Sequence, residues 1–385
     1  MTSPPGTDSS ENKAVTSAAE RDELRASVRR LFEKHSPPAE VIRWLETPPG
    51  YDRRLLEIVR DEANLFALRV PERLGGMGYG WRELGIVLEE TGRALTAVPF
   101  LSGQIAALVV EHLADESARA DVLSGVATGA ISYTVAGVSG GPPFAGVIAT
   151  HVGDEPEEWL LEGASHFVLD GAHADVILVI AYAAGEPSLF AVDPSSRGLT
   201  RTPLVSMDMT RPLADLIYRS TPARLIGRGT PADVQKLGSL LSLLLASEQL
   251  GGSRGALDQT VDHLQRRVQF GRPIGSFQAV KHRCADLLVA IEGAGAVTRA
   301  ALRAADSDSS DLSLLSHLAA SVCSETYFET ARAMVQLHGG LGFTWEHISH
   351  VHLKRAKVSQ LLFGAPATHR RRIADIVGIP TPASG

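Results

Sequence analysis

The stretch HGGLGFTWEH, His338 to His347, sets a glycine pair, a third glycine, a tryptophan and two histidines side by side. Gly339 and Gly340 remove two Cβ atoms, which lets the backbone and the amide of Gln336 come close to a bulky ligand. The same pair also ends a helix on a glycine turn, and both readings can hold together. Far upstream, Arg267 carries a planar, permanently charged fork suited to a pyrophosphate. Alone, it reads more simply as a helix-surface arginine paired with an acid. His338 and His347 have no acid or cysteine partners at metal spacing, so a metal site is not expected. Trp345 is expected to be a packed aromatic. Glu89 and Glu90, in LEETGRAL, read as a solvated or ion-paired helix face.

The elements that position these residues come from a chain of 385 residues, 44% of them hydrophobic, enough for a large core split into two or three domains. The net charge of −7, without a long basic run, excludes nucleic acid as an expected partner. Cys284 and Cys323 lack Cys-x-x-Cys spacing and are expected to be buried free thiols in a reducing compartment. No segment offers about 18 uninterrupted apolar residues, and the N-terminus is polar and Pro/Ser-rich rather than signal-like. A cytoplasmic location, without membrane contact, is expected.

Residues 1–17 read as a disordered tail. Residues 18–128 carry apolar residues at helical spacing and form an N-terminal α domain. Residues 129–224 change texture: AISYTVAG, DVILVIAYA and SLFAVD are short β-rich runs between Gly, Pro and Asp turns, a middle β domain. From 225 to 385 the helical period returns, with Thr230 able to cap the first helix and Pro231 at its first position. The fold class is α+β, in the order α, β, α.

RRVQFGRPIGSFQAVKHRCADL (Arg266 to Leu287) and QLHGGLGFTWEH (Gln336 to His347) resemble the two C-terminal signatures of the acyl-CoA dehydrogenases. VPERLGGMGYG, LEGASHFVLDGAHADVILV and the α–β–α order are similar to that family too, over roughly residues 20–380. The resemblance implies a fold with an N-terminal helical domain, a middle β domain and a C-terminal four-helix bundle. It implies an FAD-dependent oxidoreductase that removes the α-proton and β-hydride of an acyl-CoA thioester and passes electrons to an acceptor protein. The family's FAD lies between the β domain of one subunit and the C-terminal helices of its dimer partner. Matched to the pattern, Arg267, Gln269, Phe270, Phe277, Gln336, Leu337, Gly339 and Gly340 are the implied cofactor contacts. Gly271 and Gln278 complete the match.

The sequence departs from the family where the chemistry happens. The α-proton is weakly acidic, and the family removes it with a glutamate aided by two hydrogen bonds to the thioester oxygen. At the commoner of the two places for that glutamate, this chain has Gly364, in LLFGAPATHRRRIAD, with no acid between Lys357 and Asp375. At the other it has Leu241, with no acid between Asp233 and Glu248. Glu248 lies two helical turns beyond, about 10 Å along the axis, too far to stand in, and Glu346 has no particular claim. The family's Thr-Glu-Pro loop is matched by Val135, Ala136 and Gly137, and Val135 cannot donate a hydroxyl bond to the flavin ring. A Trp-x-Thr segment is replaced near HFVLDG, and Pro366 and Thr368 occupy the turn after the missing glutamate.

Residues implied to reach across a dimer are kept, while those implied to serve this subunit's own flavin ring are altered. The expectation is a homo- or hetero-oligomer, dimer or tetramer, in which this chain completes the flavin site of a Glu-bearing paralogue; base-lacking subunits of heteromeric members tend to act on bulky ring-bearing thioesters. The alternatives are a homomeric flavoenzyme with a relocated base or a different oxidation, and a non-catalytic acyl-CoA-binding or scaffold protein. The catalytic residue is left unknown, and the apolar run LGSLLSLLLAS reads as core.

Overall fold

Ser17 fixes the first turn of the fold. Its hydroxyl accepts from the Glu20 amide at 3.2 Å while its own amide donates to the Glu20 carboxylate at 2.7 Å, a reciprocal cap. The computed structural model describes residues 16–379, apart from 46, 48–50, 140–143, 145 and 153–158. Most of the expected N-terminal tail lies outside the described residues.

The N-terminal part is helical: α1 (Ala18–His35), α2 (Pro38–Trp44), α3 (Arg53–Glu57), α4 (Trp81–Arg93), α5 (Phe100–Leu113) and α6 (Glu116–Thr128). Gly129, with φ +60°, stops α6 in the left-handed conformation that glycine adopts without strain. The middle part has seven strands: β1 (Tyr133–Ala136), β2 (Val147–His151), β3 (Trp159–Leu169), β4 (Val176–Ala183), β5 (Glu186–Val192), β6 (Leu199–Leu204) and β7 (Leu213–Arg228). Strands β4, β2, β3, β7 and β5 pair in a ring, with β5 returning to β4; β1 lies parallel to β4, and β6 pairs with β7. The ring encloses a dry cluster including Leu161, Phe190, Leu216 and Tyr218. The β region runs four residues past the expected limit of 224 because β7 continues to Arg228.

The C-terminal part begins with α7 (Pro231–Arg266), started by Thr230 and Pro231 as the sequence predicts. A hairpin, β8 (Val268–Gln269) and β9 (Arg272–Pro273), leads to α8 (Gln278–Asp306), α9 (Leu312–His338), α10 (Ser349–Leu362) and α11 (Pro366–Ile376). The run from Leu237 to Leu245 is buried on every side of α7, as a helix apolar all round must be. LGSLLSLLLAS is therefore core. Helix α4 lies against α7 at backbone distance: a Cβ on Gly92 would sit 1.9 Å from the Glu248 carbonyl oxygen, and one on Gly251 would sit 1.7 Å from that of Glu89. This contact fixes where Glu248 points. Among the described residues, no helix is long and apolar enough to cross a membrane.

Candidate functional site

The hairpin after α7 turns on Phe270 and Gly271, both at positive φ (+53° and +74°). Phe270 is 90% exposed and meets the Phe277 ring edge-on at 6.0 Å, while the Arg272 guanidinium lies 4.1 Å from the centre of that ring. A phenylalanine in the left-handed region costs about 1–2 kcal/mol, and its own fold gives it almost no burial in return. Arg267 is exposed and, among the described residues, forms no ion pair; the neighbouring Arg266 faces Asp262 at 3.7 Å. The bland reading of Arg267 as an ion-paired surface residue is therefore set aside. The Gln269 amide turns back to the Val268 carbonyl at 2.8 Å.

The end of α9 meets the last turn of α7, just before this hairpin. Gly339 takes φ +60° and ψ −138°, and a Cβ on Gly339 or Gly340 would meet no atom within 4 Å. Gly340 is thus not required by packing inside this chain, and the open space beside it fits the close approach of an outside group as large as FAD. Gln336 is exposed, whereas Leu337 packs against the main core. Beneath the turn, His338 stacks on His263 of α7 at 4.2 Å and lies 4.5 Å from the ring of His347. Burial holds all three below the usual imidazole value, His347 down to about 4, with mutual repulsion adding at His263 and His347. The neutral stack ties the ends of α7 and α9 together, so that Arg267, four residues past His263, and Gln336, two before His338, belong to adjoining helix ends. Among the described residues, no group of three or more His, Cys, Asp or Glu could hold a metal ion. Trp345 is 44% exposed rather than packed in the core, stacked on His350 at 4.7 Å with the Lys354 ammonium 4.1 Å from its ring centre.

A cavity of 850 Å³ opens between the β region and α10, lined by Gly137, Ser139, Phe167, Met207, Leu213 and Leu362 among others. Its size falls within the roughly 300–1,000 Å³ range of small-molecule sites. Among the described residues, no Asp or Glu lines it. Phe167, at φ +56°, projects from a β-bulge between Ser165 and Val168. Val135 and Ala136 are buried in β1, so of the Val135–Gly137 trio only Gly137 reaches the cavity rim. Leu241 is 1% exposed within the core. Gly364 follows α10 at φ +120°, and a Cβ there would meet the His369 ring at 3.4 Å. His369 in turn faces His317, Nδ1 to Nδ1 at 3.1 Å. Burial pushes both imidazoles down to about 4, and His317 is lowered further by His369.

The sequence places Glu248 too far along α7 to stand in for the base; the structure gives it a defined role. It is buried and ion-paired to both Arg211 and Arg355. Arg355 also donates to the Thr210 hydroxyl and Arg211 to the Ser359 hydroxyl, each at 2.7 Å. Burial alone would raise the Glu248 carboxyl, but the two guanidinium groups outweigh it and hold the group at about 2. Nearby, burial pushes Asp170 up to about 6, against a 2.6 Å hydrogen bond from Ser102 and the charge of Arg211. Glu89 and Glu90 are ion-paired, to Arg25, Arg29 and Arg254, but buried rather than solvated. Cys323 is buried and its thiol pushed to about 12, while Cys284 is partly buried, and both are free.

Residues 18–130 match the family model described as acyl-CoA dehydrogenase, N-terminal domain, and residues 241–378 match its C-terminal domain. The chain is 34% identical to the acyl-CoA dehydrogenase IpdE2 of Mycolicibacterium smegmatis, over 92% of this chain and 97% of that one. Among solved structures it resembles the ChsE4–ChsE5 complex of Mycobacterium tuberculosis, with TM-score 0.86 and 26% identity over 96% of this chain and 99% of the other. It also resembles a single-substitution variant of the Tcur3481–Tcur3483 steroid ACAD, with TM-score 0.84 and 28% identity, covering 94% of this chain and 98% of that chain.

Proposed function

Because the chain belongs to the acyl-CoA dehydrogenase family, whose members are FAD-dependent flavoproteins, we propose that it is a subunit of a heteromeric acyl-CoA dehydrogenase, completing the flavin site of a Glu-bearing partner. The observation that carries this reading is an imbalance between two surfaces. Arg267, Phe270, Gln336 and Gly340 are presented outward and gain little within their own fold, while the cavity that would hold this chain's own reacting group has no carboxylate in its described lining.

In this reading Arg267 holds the diphosphate, Phe270 covers an apolar part of the cofactor, and the Gly339–Gly340 backbone and Gln336 close on it. When bound, the flavin supplies the acceptor for the β-hydride. Gly364 retains a backbone N–H that can polarise a thioester oxygen, but neither Gly364 nor Leu241 can take the α-proton, so the carboxylate comes from the partner. The similarity to a two-protein complex and to a protein named a steroid ACAD supports a heteromer acting on bulky, ring-bearing thioesters. Electrons leave to an acceptor protein.

The test is to purify the chain alone and with candidate partners encoded beside it, and to measure FAD per chain. Flavin that appears only in the mixed complex is expected. A pure homomer carrying one flavin per chain with robust dehydrogenase activity would sink the proposal and favour the homomeric reading, for which the 850 Å³ cavity is the supporting observation.

A further inference from the structure

Among the described residues, a way leads further in from the large cavity. That cavity and a narrow void share Ser139, Phe167 and Leu362 as walls, and the narrow void shares Ser102 and Leu169 with a third chamber. The three spaces lie in series, from the mouth beside α10 to the side of α7. The mouth dwarfs the inner two: 850 Å³ at the mouth, then 10 Å³, then 20 Å³. By this measure each inner void holds about one water.

What fills the inner end is charge. Glu248 on α7, Arg211 before β7 and Arg355 on α10 meet there, all at least nine-tenths buried, and Thr210 and Ser359 hold the two guanidinium groups by hydrogen bonds. Each side chain comes from a different segment, so none can swing aside without stranding the others. Arg211, Glu248 and Arg355 are themselves walls of the third chamber, so an acyl group passing from the large cavity through the narrow void would end on the ion cluster. A hydrocarbon or ring pushed into that place would have to separate a buried ion pair and lie against its charges, which is strongly unfavourable.

We infer that Arg211, Glu248 and Arg355 form a plug that closes the acyl route of this chain, so that its own cavity takes no more than a short thioester. The acyl group of the assembled enzyme is then housed by the partner alone. This rests on the reading of the chain as a base-lacking subunit, but it fails separately from it. FAD per chain decides that reading, and acyl-length dependence decides the plug.

Two measurements test it. On the assembled complex, an octanoyl-CoA analogue with a diazirine at its far end is photolysed and the labelled peptides are mapped. Label on the partner and none at Ser102, Leu169 or Phe363 of this chain is expected; label on any of these three overturns the plug. On the purified chain, acetyl-CoA and octanoyl-CoA are compared by calorimetry. Affinities within about threefold, or no binding of either, agree with a closed route. Six more buried methylenes in an open route would tighten octanoyl-CoA by more than about a hundredfold, and that result would also overturn it.

Discussion

The imidazole of His369 lies in contact distance of a side chain on Gly364: a Cβ built there is 3.4 Å from both Cε1 and Nε2. The backbone at Gly364 also takes φ +120°, a conformation that L side chains rarely adopt. Placing an acid there by Gly364→Glu is therefore expected to lower stability by about 1–3 kcal/mol. The new carboxylate should pair with His369 rather than project into the cavity, so the chain alone should gain no acyl-CoA-dependent flavin bleaching. A thermal melt unchanged from the parent would show that the turn has room for a side chain.

Glu248 gives a second prediction, with a built-in control. Glu248→Leu leaves two buried arginines unpaired and is expected to cost about 3–5 kcal/mol. Replacing Arg211 and Arg355 by Met in the same chain should recover most of that loss, because the whole cluster, unlike half of it, can be exchanged for apolar packing. Urea denaturation of the single and triple variants measures both. A triple variant less stable than Glu248→Leu would mean that the cluster contributes more than charge balance.

Acid should loosen the fold before most carboxylates titrate. Burial lowers His317, His347 and His369 to about 4 and His352 to about 3, from a usual 6.5. A folded pKa below the unfolded one means that the folded state prefers the neutral ring. Its stabilising effect is complete above about pH 6.5 and is lost as pH falls toward 4. Glu248, at about 2, acts in the same direction lower down, between about 4.5 and 2. Asp170, raised to about 6, opposes both by favouring the folded state as it protonates below 6. With four histidines against one aspartate, the melting temperature should fall between pH 7 and pH 5, and His369→Asn should flatten the slope. A melting temperature that rises over this range would contradict the burial of these rings.

At the hairpin tip, stability and ligand retention should move in opposite directions. Phe270→Gly relieves the positive φ and is expected to stabilise the isolated chain by about 1 kcal/mol. In the assembled complex the same change should weaken FAD binding by roughly tenfold, through loss of an aromatic contact. Arg267→Gln should leave the melt of the isolated chain unchanged and weaken FAD by about 10–100-fold, as loss of a charge-assisted hydrogen bond does. Equal flavin retention in parent and variants would remove the hairpin from the cofactor site.

The order α, β, α and the start of α7 were legible because capping residues and hydrophobic period are local signals, as Thr230 and Pro231 illustrate. The outward-facing set was legible only through the spacing of Arg267, Phe270, Gln336 and the glycine pair, which resembles a known pattern. The ion cluster was not. Arg211 and Arg355 lie far apart in the chain, each an ordinary basic residue in its own neighbourhood, and only the packing of α7, β7 and α10 makes them partners of Glu248. For the same reason Glu89 and Glu90 were read as a solvated or ion-paired face, since Arg25 and Arg254 that bury them come from α1 and α7. The exposure of Trp345 depends on the short turn between α9 and α10, which no local signal in the sequence reports.

Helix α7 carries three of these features on one rod: Leu241 in the core, Glu248 in the ion cluster, and Arg267 just past its last turn. Thirty-six residues at 1.5 Å each make it about 54 Å long. Inserting or deleting a single residue between two of these stations would rotate one against the other by about 100°, misplacing either the buried charge or the outward arginine. Drift along this helix is therefore confined to exchanges of side chain at fixed length. A side chain can therefore change at Leu241 while the arginine end stays in register, so that the two ends of the helix are separable in inheritance without being separable in space.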